Sequence, residues 1–307
     1  MKRDWRVLQW ALSAIIVVAA GLMLWQQAKQ LSWQQLRIAF SATPNARIAW
    51  SVLATAASFA CLAAYEWFAV RRVAPGRIAP AQALRIGAIA HAISNTLGFH
   101  ALTGGAFRYQ QYARMGLGLG DVGRIVALVA ACVATGVVLA CAGAFAWLQG
   151  WGLGLALVVL LAAIVAARLR LATLGAIASV EMLAAVAALY VLLPADIAPA
   201  PAQFILVMVG ATVLGIASHA PGGVGVFEAG VMAALPQGRG ADVLVALLVF
   251  RAIYNLLPFS LAMAALGAGR ALSWKAGIGA SPAAGENAVA PGRGFRSADG
   301  QAGDWRR

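Results

Sequence analysis

The fold is decided by the stretch SHAPGGVGVFE at residues 218–228. It places a histidine, a proline, three glycines and a glutamate between two long apolar runs. Proline and glycine interrupt the hydrogen-bond ladder of a helix, and a carboxylate is costly in lipid, so an ordinary membrane-spanning helix avoids this composition. The stretch therefore predicts a helix that is broken at membrane depth.

A weaker interruption of the same kind lies upstream, in ALTGGAFR at residues 101–108. A broken helix exposes backbone N–H groups and the positive end of a half-helix dipole. A Gly-Gly turn also lets an anionic group approach the backbone closely. The two interruptions together predict sites where an anion such as a phospholipid phosphate is held.

The composition places both interruptions in a membrane protein. The chain of 307 residues is 62% hydrophobic and 11% charged, with a mean hydropathy of +0.82. These values predict an all-α polytopic membrane protein. The net charge of +13 comes from basic residues that flank the apolar runs. That placement is typical of cytoplasmic loops beside anionic lipid, so membrane phospholipids are the expected partners and nucleic acid is not.

The apolar runs divide the chain into full and interrupted membrane segments. Six runs predict full transmembrane helices, at about residues 7–25, 48–70, 122–148, 152–167, 171–193 and 243–266. Two more, 81–99 and 202–218, end at the interruptions and are followed by short segments to 115 and 235. Residues 29–40 predict an amphipathic helix at the membrane surface. The membrane domain is thus expected over 1–270, with a disordered cytoplasmic tail at 271–307.

The distribution of basic residues favours re-entrant hairpins at the two interruptions. If both are hairpins and the N-terminus is cytoplasmic, the basic residues outside are Lys29, Arg37, Arg47 and Arg239. If both segments cross the membrane, the outside also receives Arg108, Arg114, Arg124, Arg168 and Arg170. The first arrangement obeys the positive-inside rule better. It makes the hairpins enter from opposite faces, as in the inverted repeats of transporters, with both termini in the cytoplasm.

The candidate site residues lie at the interruptions or deep in the last span. They are Asn95, Thr103, Gly104, Gly105, Arg108, His219, Pro221, Gly222, Gly223, Gly225, Glu228, Arg251, Tyr254 and Asn255. Arg108 and Arg251 could each neutralise a phosphate. The spacing of Arg251, Tyr254 and Asn255 predicts that they share one helix face. Glu228 could meet an amine-bearing head group or a proton, or it could only pair with Arg251 or cap its own half-helix.

Other polar residues in the apolar runs leave two interpretations each. His219 could relay protons or bond to the broken backbone, and His91 could line the first hairpin with Asn95 or pack within it. Glu181 either faces the bundle interior or pairs with an arginine, and Glu66 is interpreted as a snorkelling or paired residue. The sequence contains no HExxH, GxSxG or P-loop motif and no zinc-type Cys/His spacing, so no enzymatic activity, cofactor or metal is expected.

Two motifs resemble those of a known family. PGGVGVFE at 221–228, and SNT at 94–96 with TGGAFRY at 103–109, are similar to motifs of the lysylphosphatidylglycerol synthase transmembrane family of flippase-like proteins. The upstream motif resembles especially the N-terminal half of multiple-peptide-resistance-factor proteins. The resemblance covers about residues 5–270.

The resemblance implies a lipid translocase of the bacterial inner membrane, moving aminoacylated phosphatidylglycerol or another polar lipid between leaflets. The bifunctional members also have a soluble domain that makes the lipid from aminoacyl-tRNA. The sequence to Arg307 shows no counterpart of that domain, so the synthase activity is not expected. The alternative is a non-transporting membrane partner of a separately encoded lipid-modifying synthase. The identity of the lipid and the oligomeric state stay open.

Overall fold

The computed structural model describes residues 33–98, 100–152, 172–217, 221–235 and 240–279, and within these ranges it contains helices and no strand. The helices are α1 (Trp33–Ala42), α2 (Asn45–Val73), α3 (Pro80–Leu97), α4 (His100–Ala113), α5 (Leu119–Leu148), α6 (Ala172–Tyr190), α7 (Pro201–Ala217), a 3₁₀ turn (Pro221–Gly223), α8 (Val226–Ala234), α9 (Gly240–Phe250), a π-helix (Arg251–Leu256) and α10 (Leu257–Gly279). The predicted span at 7–25 lies outside the described residues, as does nearly all of the span at 152–167.

Three of the described helices are long and apolar enough to cross a membrane: Asn45–Val73, Leu119–Leu148 and Gly240–Ala268. They correspond to the predicted spans at 48–70, 122–148 and 243–266, which are confirmed as long apolar helices. Shorter apolar helices cover Leu174–Tyr190 and Pro201–Ile216. The described chain therefore has the architecture of a helical membrane protein.

The last of these helices is interrupted by the π-helix. Pro258 follows it closely, and proline has no N–H to bond the carbonyl of Tyr254. In a regular α-helix the proline ring would also clash with that carbonyl, so a wider turn just before Pro258 relieves both problems. Beyond the proline, α10 continues past residue 271, where the sequence predicts the tail to begin, and ends at Gly279.

Helix α2 is the centre of the packing. It contacts α3, α5, α6 and the π-helix. Glycines allow close approaches between neighbouring helices: a Cβ built on Gly136 of α5 would lie 2.6 Å from the carbonyl oxygen of Ala178 in α6. Membrane helices use small residues in this way because close packing of their backbones is a main source of association energy. A second apolar core joins α6, α7, α8 and α9 through Leu189, Phe204, Val231 and Leu247.

The first interruption is not where the sequence predicts it. Helix α3 ends at Gly98, which has a φ of 75° and a ψ of −167°, a conformation that favours glycine. Helix α4 then runs without a break through Gly104 and Gly105, so the prediction of a Gly-Gly break there is wrong. Gly104 instead provides space, since a Cβ there would collide with Ser94.

The second interruption is confirmed. Helix α7 ends at Ala217, and α8 begins at Val226. Between them, Gly222, Gly223 and Gly225 have φ values of 60°, 66° and 85°. Three left-handed residues in so short a stretch explain why the sequence uses glycines there. Helices α3 and α4 pack together as the first helical hairpin. Helix α3 contacts both the 3₁₀ turn and the π-helix, so this hairpin lies against the second interruption.

The chain divides into two compact units, Met1–Ala265 and Leu266–Arg307. The contacts above all belong to the first unit. In the second unit, the described residues form the C-terminal part of α10, as far as Gly279. The rest of the predicted tail lies outside the described residues.

Candidate functional site

A buried ion pair joins the first helical hairpin to α2. The Nε of Arg108 donates to Oε2 of Glu66 at 2.7 Å, and the two side chains are 4% and 0% exposed. The hydroxyl of Tyr112 donates to the other oxygen of Glu66 at 2.8 Å, and the Nη2 of Arg108 lies 3.2 Å from the Nε2 of His91. Both oxygens of the carboxylate thus have donors, and the arginine charge is balanced.

The local sequence explains how this pair is formed. Arg108 and Tyr112 are four residues apart on α4, so both face the same carboxylate. Gly104 lies one turn before Arg108, and a Cβ there would lie 2.9 Å from the Nη1 of Arg108. A second glycine, Gly87 of α3, allows the backbone to approach Glu66 so closely that a Cβ would collide with the Cβ of Glu66. Two glycines therefore make the room that the buried pair occupies.

This pair changes the interpretation of Arg108. The sequence placed Arg108 just after a break, where it would meet a phosphate. In the structure it lies inside a continuous helix, is 3% exposed and is neutralised by Glu66. Glu66 is indeed a paired residue, one of its two interpretations, but the candidate site omitted it. The one sequence signal was an acidic residue within an apolar helix, which needs a partner.

A second ion pair lies at the second interruption. The Nε of Arg251, in the π-helix, donates to Oε1 of Glu228, in the first turn of α8. The Nη1 of Arg251 donates to the carbonyl oxygen of Gly222 at 3.2 Å, and the backbone N–H of Gly225 donates to Oε2 of Glu228 at 2.8 Å. The side chains of Arg251 and Glu228 are 6% and 15% exposed. Both charged side chains therefore form hydrogen bonds with the backbone of the second interruption.

Glu228 combines two of its predicted roles. It pairs with Arg251, and it caps its own half-helix through the N–H of Gly225. A carboxylate at a helix N-terminus also interacts favourably with the helix dipole. These contacts place Glu228 between a cation and exposed N–H groups, which is the environment that an anionic ligand would use.

The three polar residues of the π-helix bind different elements. Arg251 contacts the second interruption, whereas the hydroxyl of Tyr254 lies 2.9 Å from the Oγ of Ser58 in α2. Asn255 Nδ2 donates to the backbone oxygen of Asn95 in α3 at 2.9 Å. The common face that α-helical spacing predicts for them stays a prediction, since the π-helix has wider turns. The residues connect the π-helix to three different elements.

Aromatic rings link Tyr254 to the second interruption. The ring of Tyr254 stacks on Phe250 with centroids 5.1 Å apart, and Phe250 stacks on Phe227 at 6.1 Å. The guanidinium of Arg251 lies over the ring of Phe227, 6.0 Å from its centroid. Phe227 is the neighbour of Glu228 in the chain, so this column of rings borders the ion pair.

The remaining predicted residues have local roles or lie outside the described part. Thr103 Oγ1 donates to the carbonyl oxygen of Gly98 at 2.8 Å and so closes the first turn. Gly105 has open space around it. A Cβ built on Gly223 would lie 3.4 Å from the Cα of Gly215, so this glycine allows the 3₁₀ turn to pack on α7. His219 lies outside the described residues, as does the side chain of Pro221.

Glu181 faces the interior, which was one of its two interpretations. It is 5% exposed, and the Oγ of Ser58 donates to its Oε1 at 3.1 Å. Within the described ranges there is no group of three His, Cys, Asp or Glu side chains that could hold a metal ion. The chemistry available in these residues is therefore that of ion pairs, hydroxyls and broken backbone.

No protein-family model and no curated protein matches this chain. The fold and the site define the class, a helical membrane protein with ion pairs between the helices of its described residues.

Proposed function

We propose that this protein is a lipid translocase of the bacterial inner membrane. The observation that carries the proposal is the Glu228–Arg251 pair, which lies at broken, glycine-rich backbone in an otherwise apolar helical protein. Ionisable residues at membrane depth are costly and usually mark a path for a polar substrate. A lipid head group is the polar substrate that can enter a membrane protein laterally, from the surrounding bilayer.

The chemistry of the pair fits a phospholipid head group. A guanidinium binds phosphate and carboxylate through the same forked donors, so a lipid phosphate can replace Glu228 at Arg251. The released carboxylate of Glu228 then accepts the amine of an aminoacylated or ethanolamine head group. One internal ion pair is exchanged for two external ones, and the acyl chains remain in the bilayer. A zwitterionic or aminoacylated lipid is therefore a better substrate than a simple anion.

The Glu66–Arg108 pair has a different role in this proposal. The carboxylate of Glu66 already accepts hydrogen bonds from Arg108 and Tyr112, and the side chains of Glu66 and Arg108 are almost fully buried. Exchange with a lipid would require both donors to be displaced at once. This pair therefore anchors α4 to α2 and holds the first hairpin in place, and Arg108 is not a head-group contact.

The contact of α3 with the 3₁₀ turn and the π-helix supports a shared path between the two hairpins. We propose that both hairpins are re-entrant and enter from opposite faces, within six full spans and with both termini in the cytoplasm. The positive-inside rule and the inverted repeats of transporters support this arrangement. The resemblance to the lysylphosphatidylglycerol synthase transmembrane family supports the same function.

Reconstituted vesicles test the proposal. Phospholipids labelled on an acyl chain, with glycerol, lysyl-glycerol or ethanolamine head groups, are placed in liposomes with and without the purified protein. Chemical quenching from outside then reports how much label reaches the outer leaflet. Protein-dependent movement is expected, and Glu228→Ala should abolish it. Arg37→Gln, at an exposed position of α1, is the matched control and should move lipid like the wild type.

Two results would contradict the proposal. One is the absence of protein-dependent movement for every head group tried, together with unchanged leaflet asymmetry in deletion and Glu228→Ala strains. The other is stable co-purification with a lipid-modifying synthase without any lipid movement, which would make the protein a non-transporting partner of that enzyme.

A further inference from the structure

A row of buried hydroxyls follows one face of α2. Ser51, Thr55, Ser58 and Tyr65 are between 0% and 4% exposed, and their spacing places them on the same side of the helix. At 1.5 Å per residue the row is about 21 Å long, a large part of the thickness of a bilayer core. Hydroxyls in membrane helices commonly bond to a neighbouring helix, as the Oγ of Ser51 does to the carbonyl oxygen of Ala188 in α6 at 2.7 Å, but not every member of this row does so.

Two members of the row carry a buried polar atom without a partner. Among the described residues, the Oγ1 of Thr55 and the hydroxyl oxygen of Tyr65 make no hydrogen bond. Nearly all buried polar groups in folded proteins are paired, so such exceptions indicate a further role. They lie on either side of Ser58 along the helix, and Ser58 is the residue that contacts Glu181.

Glu181 lies at the middle of this row. The Oγ of Ser58 donates to Glu181 Oε1 at 3.1 Å, and it lies 2.9 Å from the hydroxyl of Tyr254. A carboxyl group that is buried among hydroxyls takes up a proton far more readily than one that is paired with a cation. Glu66 and Glu228 are both paired with arginine, so the three buried or half-buried glutamates fall into two kinds.

Among the described residues, no arginine or lysine is paired with Glu181. Helix α6 packs against α2, α5, α7 and α9. Cys61, Tyr65 and Tyr254 lie near enough to Glu181 to interact with it electrostatically, and none of these carries a positive charge. The other charged or titratable residues of α2, α5, α6, α9 and the π-helix are Arg47, Glu66, Arg71, Arg72, Asp121, Arg124, Cys132, Cys141, Tyr190, Asp242 and Arg251. Helix α7 has none.

We propose that Glu181, Ser58 and Tyr254 form a proton-binding site in the membrane interior, reached along the hydroxyl row of α2, and that its occupancy acts on the Glu228–Arg251 pair. The reaction is the addition of one proton to the Glu181 carboxylate, with no other bond made or broken. Before uptake, Tyr254 donates to Ser58 and Ser58 donates to Glu181. After uptake, the acid donates to Ser58 and Ser58 donates to Tyr254.

The reversed direction of these hydrogen bonds is transmitted to the second interruption through the π-helix. Tyr254 changes from donor to acceptor, and its ring stacks on Phe250, which stacks on Phe227 beside Glu228. Tyr254 also lies in the same π-helix as Arg251. Proton uptake at Glu181 therefore changes the position from which Arg251 reaches Glu228. This coupling rests on the proposed function, whereas the proton site itself does not.

The proton site is tested by pH-difference infrared spectroscopy of the purified protein, which detects the carbonyl stretch of a carboxylic acid. The wild type should show a band that appears as the pH falls, and Glu181→Gln should lose it while keeping the helical content of the wild type. Glu228→Gln is the matched control and should retain the band, because Glu228 is tied to Arg251. An unchanged band in Glu181→Gln, or no such band in the wild type, would overturn the site.

The coupling is tested separately in vesicles with a pH difference across the membrane. Lipid movement by the wild type should accelerate severalfold when the pH difference is imposed, and Glu181→Gln and Ser58→Ala should lose this response while still moving lipid at equal pH. An undiminished response in either variant would overturn the coupling and leave the proposed function standing. If the wild type moves no lipid at all, the proposed function and the coupling both fail, and the infrared result still decides the proton site.

Discussion

The two ion pairs have the same chemistry but different surroundings. Glu66 and Arg108 lie on regular helices, with Tyr112 and His91 completing their contacts. Glu228 lies in the first turn of α8, just after the second interruption, and Arg251 lies in the π-helix. Part of their bonding is to the backbone of Gly222 and Gly225. Their side chains are also more exposed, at 15% and 6% against 0% and 4%.

The difference shows how one protein can use the same pair for two purposes. A buried pair between regular helices is costly to break, because separating it leaves a charge without a partner in a dry interior. A pair at broken backbone can be exchanged more easily, because glycines let a replacement ligand approach the backbone closely. We infer that the first pair fixes the fold and that the second is the one that opens.

The largest expected difference between the two pairs is the loss of stability when the glutamate of each is replaced by alanine. Glu66→Ala leaves Arg108 buried without its counter-ion, and we expect a loss of about 3–5 kcal/mol in the free energy of unfolding. Glu228→Ala should cost clearly less, because Arg251 keeps the carbonyl of Gly222 and the carboxylate that is removed is itself less buried than that of Glu66. Thermal unfolding of the purified variants in detergent, followed by tryptophan fluorescence, measures both.

A double variant provides the control for this comparison. Glu66→Met combined with Arg108→Met should recover most of the lost stability, because apolar side chains of similar size often replace a buried pair without cost. The comparison fails if Glu228→Ala is as destabilising as Glu66→Ala, or if the double variant is no more stable than the single one.

The adjacent glycines Gly104 and Gly105 provide a smaller and more local test. Gly104→Ala forces a Cβ against Ser94 and the guanidinium of Arg108, so it should destabilise the protein by about 1–3 kcal/mol. Gly105→Ala meets open space and should be neutral, or stabilising by up to about 1 kcal/mol, because alanine is the better helix former. Equal effects of the two substitutions on the unfolding temperature would show that Gly104 makes no room for the first pair.

The sequence allowed the second interruption to be predicted but not the first. Around residue 221, a proline and three glycines combine signals that each disfavour a helix, and the backbone breaks there as expected. At the first hairpin, the Gly-Gly pair suggested a break, but a helix tolerates glycines when packing requires them. The actual turn uses the single glycine Gly98, which carries no comparable local signal.

The candidate site, like the fold, could be predicted only where the local sequence carried a signal. The pairing of Glu228 with Arg251 was one of the roles that the sequence left open for this carboxylate, and it is observed. The pairing of Glu66 with Arg108 depends on how α2 packs against α4, and local spacing carries no information about that. The π-helix could have been suspected from Pro258, which prevents a regular turn at Tyr254.

The most direct test of the difference between the two pairs is the affinity of the protein for a soluble, short-chain aminoacylated phosphatidylglycerol. It is measured by titration calorimetry on the wild type, on Glu228→Gln/Arg251→Gln and on Glu66→Gln/Arg108→Gln, each shown to be folded. Both double variants remove a pair without leaving an unpaired charge. We predict that the Glu228/Arg251 variant binds the lipid at least about tenfold more weakly, equivalent to about 1.4 kcal/mol, and that the Glu66/Arg108 variant binds it like the wild type. Equal affinity in all three proteins, or a loss confined to the Glu66/Arg108 variant, would contradict the account.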